Sequence, residues 1–190
     1  MNRHPDAHAS IRALVARIRN ETNRPVPDVD PDGPGSGAAV VMVLLTPGPA
    51  RGGAQMTGVL SPTRNTDQTA LNLRQLLGES GLRESLCVFW NAVPWALDRR
   101  RGPTSHELEK GAAYLKEFLG LVPGRRAVVA LGLIAQKACR MAGVEAIDVP
   151  SPSPLAVSRP GARPTAKARR WTQLRSGLEA AARTITSGTV

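Results

Sequence analysis

The run VVMVLLTPGPA at residues 40–50, with TGVLSPTRNTDQTALNL at residues 57–73, decides the fold of this 190-residue chain. Residues 38–46 are continuously apolar and rich in valine. A strand buried on both faces reads this way, because helices cover both sides of a parallel sheet. The run stops at Thr46-Pro47-Gly48. A strand ending in such a turn leaves backbone N–H groups and nearby side chains at the carboxyl edge, where open α/β sheets bind ligands. Residues 69–77 then read as a helix, with Asp67 or Thr66 as its cap.

The pattern repeats towards the C-terminus. Residues 86–92 and 127–131 read as buried strands, and 144–149 as a short fourth one. Residues 104–120 form a helix in which Thr104 and Glu107 have capping-box spacing. Another helix ends near Gly143, and residues 165–184 close the chain with Trp171, Leu174, Leu178 and Ala181 facing inward. Towards the N-terminus, Ile11, Leu14, Val15 and Ile18 share one face of a helix over residues 8–20. Between it and the first strand lies RPVPDVDPDGPGSG, whose prolines and glycines read as a loop.

Alternating strands and helices predict an α/β protein: a three-layer α/β/α sandwich around a central four-stranded, mostly parallel sheet. The expected organisation is an N-terminal amphipathic helix (1–24), a Pro/Gly-rich loop (25–37) and an α/β body (38–190), one domain overall. The loops at the carboxyl ends of the strands, 46–67, 91–101, 132 onward and 150–160, then converge on one rim.

Twenty-five Lys and Arg against 15 Asp and Glu leave a formal charge of +10. The excess is mostly arginine, whose planar guanidinium grips phosphate with two hydrogen bonds. A base composition biased to GC gives the same enrichment without function. Cys87 and Cys139 lie in apolar runs and read as buried thiols. With no Cys-x-x-Cys pair and three scattered histidines, neither a metal nor a cofactor is expected. No apolar run is long enough to span a membrane and no secretory leader is seen, so the expectation is a soluble, cytoplasmic monomer.

Three loops carry a resemblance: Leu44-Leu45-Thr46-Pro47-Gly48-Pro49, Trp90-Asn91-Ala92-Val93-Pro94-Trp95 and Ser151-Pro152-Ser153-Pro154-Leu155. Over residues 40–170 the chain resembles the uracil-DNA glycosylase superfamily, especially small bacterial glycosylase-like proteins. That family positions its attacking water with a polar residue in the first loop. Here Thr46, Pro47 and Gly48 keep the turn, but Leu45 stands where the acid or amide is expected. A base-stacking aromatic is expected about a dozen residues on, where this chain has Val59 and Leu60.

The resemblance makes Asn91 the reader of an extruded base, since a carboxamide both donates and accepts. The competing reading is a strand-end asparagine satisfying backbone groups. The last loop keeps the family's Pro-Ser-Pro frame, with Ser151 in place of a histidine that stabilises the departing base. Leu155 is either the wedge that enters the duplex or a loop leucine docked on the core. Some superfamily members use an aspartate slightly downstream of the first loop. Asp67 fits that place, and also fits a helix cap.

Arg99 and Arg100, after Trp95, and Arg159 and Arg163, after the Ser-Pro loop, would flank the same rim and hold phosphates beside Ser153 and Leu155. For any one of them a solvated arginine is the competing reading. Gly52-Gly53 would let backbone amides approach a phosphate. The resemblance implies a DNA-binding protein, acting on single or double strands, that recognises or excises a flipped base by hydrolysing its N-glycosidic bond without metal or cofactor. Missing family side chains keep two alternatives open: a DNA-binding module of the same fold without the chemistry, and an enzyme acting on a free nucleotide or modified base.

Overall fold

A computed structural model describes residues 7–48, 52–97, 102–154 and 164–187. The central sheet consists of β2 (Val40–Leu44), β4 (Cys87–Asn91), β5 (Ala127–Leu131) and β6 (Ile147–Val149). Its order is β4-β2-β5-β6 and every pairing is parallel. Valines fill β2 because both its faces are covered. Val40 and Met42 enter one core, with Phe89, Val129 and Leu131. Val41 and Val43 enter the other, with Trp90, Val128 and Ala130.

The helices divide between those cores. α3 (Gln68–Ser80) contributes Leu73, Leu76 and Leu77 to the first, and α6 (Pro164–Thr186) contributes Leu174, Leu178 and Ala181. α4 (Ser105–Gly120) and α5 (Leu133–Met141) pack on the second face, where Leu115, Phe118 and Ala138 are buried. After β2 the chain moves to one side of the sheet, and after β4 it moves back across. Crossovers of one hand then require the helix layer to change face, as α3 and α4 do. The result is the three-layer α/β fold.

α1 (Ala9–Thr22) joins the α4 face through Ile11, Leu14, Val15 and Ile18. The stretch expected to be only loop contains β1 (Asp28–Val29), which pairs in parallel with β3 (Val59–Leu60) as a separate small sheet. Pro27 does not prevent this, because a proline that opens or precedes a short edge strand costs the ladder no hydrogen bond. The Asp28 N–H donates to Gly58 O at 2.8 Å. The Thr104–Glu107 capping box is fully formed at the start of α4.

Two glycines set distances at the rim. Gly111 lies in α4 against the chain just beyond β4, where an added Cβ would stand 2.0 Å from Ala92 O. Gly132, between β5 and α5, has φ +97°, and an added Cβ would lie 3.0 Å from the Ser151 Cβ. Both positions admit backbone approaches that a side chain would block.

Candidate functional site

The carboxyl ends of β2 and β4 stay paired past the strands: Ala92 N–H donates to Leu44 O at 2.7 Å and Val93 N–H to Leu45 O at 2.9 Å. The Thr46 hydroxyl donates to Trp95 O at 2.6 Å, tying the first loop to the second. Gln55, from the short helix α2 (Ala54–Thr57), donates its amide to Pro47 O at 2.9 Å. These bonds fix the Thr46-Pro47-Gly48 turn over the end of the sheet.

Beneath it lies a cavity of about 90 Å³. Thr46, Pro47, Gly48, Asp67 and Asn91 all line it, with Leu60, Leu73 and Phe89 among its apolar walls. Asn91 is 1% exposed. Its Nδ2 is buried without a hydrogen-bond partner. Three other buried side-chain nitrogens among the described residues share that state, on His8, Trp90 and Trp95, and none of those residues lines the cavity. An unpaired buried amide costs about 1–3 kcal/mol, so its occurrence on a residue that lines a cavity requires a reason.

Asp67 caps α3: its Oδ1 accepts from Thr69 N–H at 3.0 Å and Ala70 N–H at 3.4 Å. Both bonds use one oxygen, and Oδ2 has no partner among the described residues. Capping and a second task are therefore compatible in the same carboxylate. Asp67 is half-buried. Val59, half-buried in β3, does not line the cavity, while its neighbour Leu60 does. The two-residue alternation of the strand sends them to opposite sides.

Beyond β5 and β6 lies a much wider groove of about 1000 Å³. Ser151 and Ser153 line it with Gln136, Arg170 and the exposed Leu133. Leu45 also lines this groove and not the cavity. The Ser151 Oγ accepts from Ser153 N–H at 3.2 Å, an ST turn that shapes the loop. Thr46 and Asn91 thus share one chamber, and Ser151 stands in the neighbouring one on the same rim. Leu155, Arg99, Arg100, Arg159 and Arg163 lie outside the described residues. Gly52 is accounted for by packing, since a Cβ there would fall 2.1 Å from Thr66 Oγ1. On α6, Lys167 and Arg169 are exposed near the groove's Arg170.

Sequence reasoning missed Asn72. It is buried in α3, donates its Nδ2 to Pro152 O at 2.7 Å, and accepts from Gln68 Nε2 at 3.0 Å. The available signal was a carboxamide four residues before Leu76, on the side of the helix that the leucines bury. Among the described residues, no group of three or more His, Cys, Asp or Glu is placed to hold a metal, and no helix is long and apolar enough to cross a membrane.

No curated protein matches the chain. The family model of the uracil DNA glycosylase superfamily matches residues 60–175, more than half of its length. That match spans Asp67, Asn91 and the Ser151 loop and begins after the Thr46 turn. A parallel four-stranded sheet, helices on both faces and this match agree: the chain belongs to the uracil DNA glycosylase superfamily.

Proposed function

We propose that this protein binds DNA and hydrolyses the N-glycosidic bond of a base turned out of the strand. The observation that carries the reading is Asn91, which lines a cavity together with Asp67 and whose Nδ2 is buried without a partner. An amide donor held dry is poised for a carbonyl oxygen of a base, such as that of uracil or hypoxanthine. The Asp67 Oδ2 supplies an acceptor that orients water towards the sugar, while Oδ1 keeps the helix cap. The formal charge of +10 supports attraction of a polyanion before any base is read.

Where the family has histidine, this chain has Ser151, whose Oγ is engaged with the loop's own backbone. Loss of one preorganised donor to a developing anion costs on the order of a hundredfold or more in rate. The expected activity is therefore slow and best seen with enzyme in excess. The test is incubation with single- and double-stranded oligonucleotides carrying uracil, hypoxanthine or other modified bases. An abasic product that disappears with Asn91→Ala supports the proposal. Salt-dependent binding with no abasic product from any base would refute hydrolysis and leave a reader of bases.

A further inference from the structure

The loop after β6 is held by hydrogen bonds on two sides. Gly132 N–H donates to Val149 O at 2.9 Å, and Gln136 Nε2 donates to the same oxygen at 3.0 Å. Those bonds fix where the loop leaves β6. Among the described residues, the side chain that holds its far side is Asn72, whose Nδ2 reaches Pro152 O across 80 residues of sequence. Pro152 is buried there, while Ser151 and Ser153 on either side are half-exposed.

The position of Asn72 on α3 gives this bond more than local meaning. Asp67 caps that helix, and Ala70 and Leu73, on either side of Asn72, line the cavity. One rigid helix therefore holds both the cavity wall and the loop of the neighbouring groove. Gln68, on the first turn, donates to the Asn72 Oδ1 and so fixes which way the amide points. With its oxygen occupied, the Asn72 nitrogen must face Pro152.

We propose that Asn72 is a positioning residue that registers the Ser151–Ser153 loop against the base cavity, so that the two rim elements meet one nucleotide together. This rests on the proposed reading of a flipped base, but the placement of the loop can be tested without it. Asn72→Asp keeps the shape and the acceptor for Gln68, and loses the donor to Pro152. Amide hydrogen exchange of the Asn72→Asp and Asn72→Ala proteins should speed up at Ser151 and Ser153 and stay unchanged in β2 and β5. Affinity for an oligonucleotide with a displaced base should fall roughly tenfold, as loss of one buried hydrogen bond allows.

In a Ser151→Ala, Ser153→Ala background the same Asn72 change should cost much less affinity, while its effect on melting temperature persists. A purely structural asparagine would cost the same affinity in both backgrounds. Unchanged exchange in the loop, or equal acceleration throughout the sheet, would overturn the assignment. If the unaltered protein binds no such oligonucleotide, the flipped-base reading fails, and the exchange result alone decides whether Asn72 holds the loop.

Discussion

The two chambers on the rim differ in size and in how their polar groups are treated. The cavity at the ends of β2 and β4 holds about 90 Å³ and is lined by Asn91, whose amide nitrogen the fold leaves unpaired. The groove beyond β5 and β6 holds about 1000 Å³, yet its loop serine and Gln136 are bonded to backbone. On the proposed reading, unspent hydrogen-bonding capacity, not volume, marks the base site. A roomy surface can satisfy its polar groups with water. Asn91, buried beside the smaller space, keeps a donor free that a bound carbonyl oxygen would satisfy.

The sharpest way to break this contrast is Asn91→Leu. Removing an unpaired buried amide for an apolar side chain of similar size should raise stability by about 1 kcal/mol. Base-selective binding or excision should nevertheless fall on the order of a hundredfold. Calorimetry and an excision assay on one preparation check both signs. A stability loss with intact function would mean that Asn91 serves the fold.

Gly111→Val comes next. The added side chain meets Ala92 O and should cost about 2–3 kcal/mol, seen as a lower denaturation midpoint at unchanged slope. Function measured well below that midpoint should also drop, because the displaced backbone adjoins Asn91. The groove offers the control: Leu133→Ser, at a residue 79% exposed, should leave the midpoint unchanged.

Asp67 separates a cap from a catalyst. Asp67→Ala should cost about 1 kcal/mol of stability, and Asp67→Asn should cost almost none, since asparagine caps equally well. If Oδ2 orients water, both variants lose excision alike. If the residue is only a cap, Asp67→Asn keeps full activity.

The thiols respond to pH. Burial pushes Cys87 up to about 12, and burial likewise raises Cys139 to about 11. A thiol raised in the folded state contributes stability that is complete below its unfolded value near 9 and is lost as pH rises towards 11–12. The melting temperature should therefore begin to fall above pH 9, and less so in a Cys87→Ala, Cys139→Ala protein.

The layered fold was legible because β2, β4 and β5 are short, mostly apolar runs and the long helices carry a cap or an apolar face. Residues 127–131 read as a strand and form one over the same residues. The Asp67 cap was visible as a residue type in the right place, although its second oxygen was not. β1 was hidden because two residues carry no periodicity and lie between prolines and an acidic turn. At the rim, sequence placed Thr46, Asn91 and Ser151 on converging loops. It could not tell that strand order puts Ser151 two strands away from β2, in a chamber of its own. Nor could it choose between Val59 and Leu60, since that depends on which face of a two-residue strand looks inward. Asn72 escaped notice because its partner is a backbone carbonyl, which leaves no trace in residue type.

The bare backbone of α4 at Gly111 means that the chain leading away from Asn91 is seated from behind, by a helix that lines neither chamber. That helix thereby acts as a stop, against which the chain just beyond β4 is seated. Changes of specificity could arise there, on the far side of the sheet, without altering one residue that lines the opening.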